Sequence, residues 1–307
     1  MQTIFCDIEK PMPKTRPGII CLGFFDGVHK GHQLLIHEGL LQAKRRGIAG
    51  CVYTFDVPPG KKTGGEITPL AHKKEILEEM GVDILYVDNF KNLKATPPRE
   101  FVEKVLIERL QAKGVVAGFN YTFGHKGEGE TALLHEILDK HGVDAIEIPK
   151  IVIDGAGVSS RRIRKCINEG DMRAAEKLLG RPFYIQEKVF AGKKLGRTMA
   201  IPTINQSLPQ NSVQMPLGVY VSRTTVEGKP YFSVTNVGKR PTVGEFDDIT
   251  VETHILHFSK DIYNQEIKVE FLKMLREEKK FDSLEELKRQ MQKDVQSVAD
   301  FADKYEK

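Results

Sequence analysis

The pattern of apolar runs changes character once along this chain of 307 residues, and that change limits the folds open to it. Up to Arg181-Pro182, short apolar runs alternate with helical patterns. Ile19 to Leu22, Ala49 to Thr54, Ile84 to Val87, Val115 to Gly118 and Ala145 to Ile148 read as buried strands. His32 to Arg46, Pro98 to Gln111 and Thr131 to His141 read as helices, the second opened by a proline whose missing N–H costs nothing in a first turn. Such strands separated by helices require a parallel sheet covered by helices, a Rossmann-like α/β layer. Beyond residues 181–184 the runs become short and β-rich: Tyr184 to Phe190, Val219 to Thr225, Tyr231 to Asn236, Val251 to Phe258 and Ile267 to Phe271, with turn residues between. This spacing predicts a small antiparallel barrel. Two domains follow, 1–182 and 183–307.

Smaller signals complete the outline. Ser159-Ser160 and Asp171 stand where helix caps belong, the second helix closing near Leu179-Gly180. Ser283 opens a terminal amphipathic helix with Glu286 at capping-box spacing, and Leu284, Leu287, Met291, Val295 and Val298 keep a helical period. No apolar run approaches the roughly 20 residues of a membrane span. Asp7, Glu9 and Lys10 interrupt any secretory core at the N-terminus. Four cysteines without C-x-x-C spacing read as reduced thiols of a cytoplasmic protein. A net charge of +4 argues for neither nucleic acid nor membrane as partner, and suits small anionic substrates. A weak homo-oligomer is compatible with all of this.

One stretch carries chemistry. Gly23-Phe24-Phe25-Asp26-Gly27-Val28-His29-Lys30-Gly31-His32 joins the first long strand to a helix. A helix N-terminus offers unpaired N–H groups and partial positive charge to a phosphate. His29 and His32 fall in the first turn, where both can face one anion. Zinc would need a second ligand pair, which is absent nearby. The stretch resembles the H-x-G-H signature of nucleotidylyltransferases, and the longer string resembles the bacterial FAD synthetase branch.

Further motifs extend the resemblance over about residues 15–305. Gly118-Phe119-Asn120-Tyr121-Thr122-Phe123-Gly124 is similar to G-F-[DN]-[FY]-x-F-G, which implies that Asn120 contacts nucleotide. Val158-Ser159-Ser160-Arg161-Arg162-Ile163-Arg164 is similar to I-S-S-T-x-I-R, with Arg161 where threonine is usual; Ser159, Ser160 and Arg164 are the implied triphosphate ligands. With Gly23, Phe24, Asp26 and Gly31 these complete the implied ATP site of an adenylyltransferase. Thr54-Phe55-Asp56-Val57-Pro58-Pro59 departs from T-F-D-P-H-P.

In the second half, a Gly/Lys turn at Gly192-Lys193-Lys194-Leu195-Gly196-Arg197 means little alone. Together with Pro202-Thr203-Ile204-Asn205, Gly218-Val219-Tyr220, Asn236 to Thr242, Val251-Glu252-Thr253-His254 and Leu275 to Phe281, it resembles the riboflavin kinase domain. The resemblance implies Glu252 as catalytic base, Thr203 and Asn205 as the Mg²⁺ pair, and Gly192, Lys194, Gly196, Arg197 and Thr203 as the cradle of ATP or ADP. Asn236, Arg276 and Glu278 are implied on the flavin side. The whole chain is thus similar to the bacterial bifunctional riboflavin kinase and FAD synthetase family, with riboflavin, FMN and ATP as substrates, Mg²⁺ as cofactor, and FMN and FAD as products. Two other readings stay open: a kinase whose adenylyltransferase half is weak or retuned, and a flavin-binding regulator without turnover.

Overall fold

The computed structural model describes residues 1–7, 10–11, 13–58, 64–190, 201–209, 211–240 and 248–305. The chain divides into two compact units. One holds Met1–Thr63 and Thr68–Ser160, the other Gly64–Ile67 and Arg161–Lys307.

The first unit is built on six parallel strands: β1 (Gln2–Cys6), β2 (Gly18–Leu22), β3 (Ala49–Phe55), β4 (Ile84–Asp88), β5 (Ala112–Gly118) and β6 (Asp144–Ile148), in the order β1-β4-β3-β2-β5-β6. Alternation along β2 sends Ile19 and Cys21 into one core and Ile20 and Leu22 into another. Helix α1 (Lys30–Arg46) contributes Leu35, Ile36 and Ala43 to the first of these cores, and α2 (Leu70–Glu79) adds Ile76 and Leu77. The second core takes Val102, Val105 and Leu106 from the segment after Pro98. That segment is a short α-turn, Pro98–Glu100, running on as a π-helix over Phe101–Arg109, a hydrogen-bond pattern that apolar spacing does not announce. From β2 the chain winds outward through β3 and β4, then β5 and β6 return on the other side of β2. The reversal leaves a crevice beyond the carboxyl ends of β2 and β5, where open α/β sheets bind ligands.

The described residues of the second unit contain a six-stranded antiparallel sheet. In chain order its strands are β7 (Phe183–Lys188), β8 (Ile204–Ser207), β9 (Gly218–Val226), β10 (Lys229–Arg240), β11 (Asp248–Ile255) and β12 (Glu266–Glu277). Their spatial order is β8-β11-β10-β9-β12-β7. Past the end of β7, Phe190 N donates to Asn205 O at 2.9 Å, which brings the two edges together into a near-barrel. One face buries hydroxyls that satisfy one another across strands: Ser222 with Thr235 at 2.6 Å, Thr235 with Thr253 at 2.9 Å, and Thr224 with Ser233 at 2.7 Å. Val221, Leu256 and Leu272 pack with Val298 of the terminal helix Leu284–Tyr305. Ser283 caps that helix through Glu286 N at 3.1 Å, but the returning Glu286 carboxylate accepts from Asp282 N rather than from the cap's own N–H. Leu284, expected on the apolar face, is 68 % exposed.

The strand expected at Val251 to Phe258 stops at Ile255, because His257 turns the chain with φ of 57°. The helix Ser160–Asn168 and its successor Met172–Leu179, capped by Asp171 through Ala174 N at 3.0 Å, fall in the second unit from Arg161 onward. Among the described residues no helix is long and apolar enough to cross a membrane.

Candidate active sites

The turn after β2 is held in an unusual backbone shape. Phe25, Gly27 and Val28 all have positive φ (54°, 83° and 38°), a region that costs non-glycine residues energy. The strain is offset by tethers. Phe24 O accepts from Thr54 Oγ1 at 3.0 Å and from the buried Lys73 Nζ at 2.7 Å, and the same ammonium lies 4.0 Å from the centre of the Phe24 ring. Asp26 is 3 % exposed; its Oδ1 accepts from Thr68 N and its carbonyl from Ser160 Oγ at 2.8 Å. Asp26 and Ser160 therefore clamp the turn.

His29 is the N-cap of α1, and its Nδ1 accepts from His32 N at 3.3 Å. A ring nitrogen that accepts carries no proton, so neutral His29 keeps its hydrogen on Nε2 as a donor. The two imidazoles stack at 3.6 Å between centroids, and Phe25 meets His32 edge-on at 5.2 Å. Gly31 gives the His29 ring room. A Cβ there would lie 3.3 Å from the His29 ring. The N–H groups of Lys30 and Gly31 head the helix, where no intrahelical acceptor exists for them.

His32 lines a cavity of about 820 Å³ together with Gly23, Phe24 and Asn120. Its far wall is aromatic, with Phe55, Phe90, Phe101, Tyr121 and Phe123, and its rim adds Lys94, His125 and Lys126. Phe55 and Phe90 meet edge-on at 5.2 Å, and Tyr121 stacks on Phe123 at 6.0 Å. Burial pushes the Tyr121 phenol well above its ordinary range. Residues after β2 and after β5 both line this cavity, and Phe119 is exposed. Of the sequence-predicted triphosphate ligands, Arg164 falls in the second unit, where its Nε donates to Gly65 O at 2.7 Å.

The second unit places its candidate residues by strand register. Arg276 pairs with Val219, Val219 with Asn236, Asn236 with Glu252, and Glu252 with Asn205, so one row crosses five strands. Directly opposed residues share a face. Thr203, Asn236, Glu252, Arg276 and Glu278 line a cavity of about 280 Å³ whose remaining wall includes Ile201, Val219, Val234, Leu287, Met291 and Val295. The three apolar helix positions 287, 291 and 295 thus face a cavity.

Arg276 is anchored by Asp294, 5 % exposed: Nε lies 3.1 and 3.2 Å from the two carboxylate oxygens, Nη2 2.8 Å from Oδ2, and Gln290 Nε2 donates to Oδ1 at 2.9 Å. Sequence reading missed Asp294, whose only signal is an acid on the apolar side of an amphipathic helix. It gave no role to His254, two residues after Glu252 on the same strand face, and missed Lys73, a lysine between apolar helix positions.

A second cavity of about 210 Å³, lined by Pro202, Ile204, Phe258, Lys260 and Tyr263, shares Thr203 with the first. Gly192, Lys194, Gly196, Arg197 and the Pro241-Thr242 part of their partner motif lie outside the described residues. Among the described residues no group of three or more His, Cys, Asp or Glu side chains could hold a metal ion.

Comparison with known proteins matches each half separately. Residues 12–162 match the FAD synthetase family model and residues 179–302 the riboflavin kinase model. A bifunctional riboflavin kinase/FMN adenylyltransferase of Bacillus subtilis is 34 % identical over 290 residues, covering 91 % of each chain. Its counterpart from Listeria monocytogenes is 34 % identical and covers 94 % of this chain and 93 % of its own. A solved structure described as a macrolide-efflux protein from Streptococcus pneumoniae superposes with a TM-score of 0.87 at 29 % identity, covering 97 % of this chain and 99 % of its own.

Proposed function

We propose that this chain, which belongs to the family of bifunctional riboflavin kinase/FMN adenylyltransferases and carries both transferase activities, phosphorylates riboflavin at the row crossing the barrel and adenylylates FMN at the stacked histidines. The observation that carries the kinase assignment is that Thr203 borders two cavities at once. The larger of the two, apolar on most of its wall, suits a flat flavin ring; the smaller suits the nucleotide. Phosphoryl transfer then takes place at their common edge. Glu252 accepts the proton of the attacking hydroxyl, a poor nucleophile that gains from a carboxylate base. Thr203 and Asn205 offer neutral oxygens, a donor set that fits Mg²⁺, which keeps several waters and takes few protein ligands. When bound, the ion would neutralise charge on the ATP phosphates. Asn236, Arg276 and Glu278 surround the flavin, and Gly192, Lys194, Gly196 and Arg197 cradle ADP.

Adenylyl transfer needs no base, because the FMN phosphate is already an anion. His29 through Nε2–H, His32 and the head of α1 stabilise charge on the α-phosphate, with Gly23, Phe24, Gly31, Asn120 and Ser159 holding ATP. Asp26 and Ser160 shape the turn. The aromatic wall of the 820 Å³ cavity takes the second ring system. The functional division falls at 182/183, close to where the riboflavin kinase match begins, in a cytoplasmic protein.

The test is a pair of variants. Glu252→Gln abolishes FMN formation from riboflavin while FAD formation from supplied FMN persists. His32→Ala does the reverse, losing about 10²–10³ in adenylyltransferase kcat. Loss of both activities by either folded variant overturns the two-site assignment.

A further inference from the structure

The wall of the flavin cavity in the second unit holds a histidine that the proposed reaction does not use. His254 stands two residues after Glu252 on β11, opposite Val234, and both line the cavity. Its Nδ1 lies 2.8 Å from Pro202 O. A carbonyl oxygen only accepts, so Nδ1 carries the hydrogen and neutral Nε2 is left as an acceptor. Nothing else among the described residues hydrogen-bonds this ring. The contact also ties the ring to the residue before Thr203.

We infer that His254 is a positioning residue that reads the polyol chain of riboflavin, its Nε2 accepting a hydrogen bond from an inner hydroxyl. This rests on assigning the cavity to the flavin. The order of groups along the wall supports it. Ile201, Val219, Leu287, Met291 and Val295 provide an apolar bed for the ring, whereas Thr203 and Glu252 stand at the end where phosphate is received. The polyol must run from one to the other. Residues i and i+2 on a strand are about 6–7 Å apart. That spacing is within the length of the polyol, so with Glu252 at the terminal hydroxyl an inner hydroxyl is within reach of His254 beside the Thr203 segment. An acceptor whose other nitrogen is already committed pairs with a donor, and an inner hydroxyl of the polyol is a donor of the right reach. The Pro202 contact makes the same ring a strut for the Thr203 segment, so a correctly placed hydroxyl and a correctly placed Thr203 report on one another.

The experiment compares riboflavin with its 2′-, 3′- and 4′-deoxy analogues in wild type, His254→Asn and Met291→Trp. Asparagine keeps an N–H donor for Pro202 O and lacks the Nε2 acceptor. In wild type one analogue loses about 10- to 100-fold in kcat/KM, the cost of leaving a built acceptor unpaired. In His254→Asn riboflavin itself drops by a similar factor, and the penalty on that analogue shrinks to within about threefold of unity, as a double-mutant cycle requires for a direct contact. FAD formation from supplied FMN and the melting temperature stay near wild type. An unchanged penalty in His254→Asn overturns the inference. Met291→Trp fills the cavity and blocks riboflavin phosphorylation. If it does not, the flavin assignment of the cavity fails, and the role of His254 with it. If it does while the His254→Asn penalty is unchanged, only the role of His254 fails.

Discussion

Removing the carboxylate of Asp294 is expected to damage the protein twice, once through stability and once through riboflavin binding. Asp294 is 5 % exposed and Arg276 has 24 % of its side-chain surface exposed. Asp294→Ala leaves a guanidinium facing an apolar pocket and strands the Gln290 amide that also served the carboxylate. Breaking a fully buried pair from one side costs about 3–5 kcal/mol. Arg276 keeps partial access to water, so about 2–3 kcal/mol is expected here. At roughly 2–4 °C per kcal/mol for a unit of about 150 residues, the melting temperature falls by about 4–12 °C. Riboflavin KM rises as well, because Arg276 leaves its place in the cavity wall, while FAD formation from supplied FMN is spared. The paired replacement Arg276→Met with Asp294→Leu separates the two effects. Apolar substitutes for a buried ion pair are often neutral or stabilising, so it recovers most of the melting temperature without recovering KM. Scanning calorimetry with steady-state kinase assays decides the matter. A melting point for Asp294→Ala within about 1 °C of wild type refutes the view that this pair holds the cavity wall.

Lys73→Met takes the ammonium donor from the Phe24 carbonyl, leaving the Thr54 hydroxyl in place, and loosens the strained turn, so FAD formation falls about 10²-fold while riboflavin phosphorylation is unchanged; a normal adenylyltransferase rate removes Lys73 from any positioning role. Gly39→Ala drives a Cβ into Cys21 Sγ, and overpacking of about 1–3 kcal/mol outweighs the helix gain of about 1 kcal/mol; Cys21→Ala in the same chain restores the midpoint in urea, and independent effects of the two changes contradict the contact. Burial pushes the Cys6 and Cys51 thiols from an ordinary 9.0 up to about 12 and Cys21 further, so native protein at pH 8 offers a thiol reagent at most Cys166, and unfolded protein all four. Because these folded-state values are raised, their contribution to stability is intact below pH 9 and fades as pH climbs through 12, which denaturation midpoints from about pH 8 to 11 would register.

Much of the first unit is readable from sequence because its inner strands β2, β3, β4 and β5 are buried on both faces, which leaves apolar runs too short for helices. β1 escaped because it is an edge strand with only Ile4 and Cys6 buried, and β8 because Asn205 and Gln206 interrupt it. The motif residues were legible for another reason. A tight turn, a helix head and directed donors demand particular residue types at fixed short spacing, as Gly31 shows beneath the His29 ring. Asp294, His254 and Lys73 were not legible. Each acts on a partner distant in sequence, and an acid, a histidine or a lysine within an apolar pattern has no local signature of its role.

By itself the sequence determined the order of elements, the change from a parallel layer to an antiparallel barrel, and the stretches that handle phosphate, because those depend on local periodicity and short-range geometry. The tertiary structure alone decided which residues meet. Strand register set Arg276, Val219, Asn236, Glu252 and Asn205 in one row across five strands, and a slip of one residue would have turned every one of them away. It also decided that Phe24 is held by Lys73 and that Arg276 is answered by Asp294. Pairing across long sequence separations is a property of packing, and no window along the chain contains it.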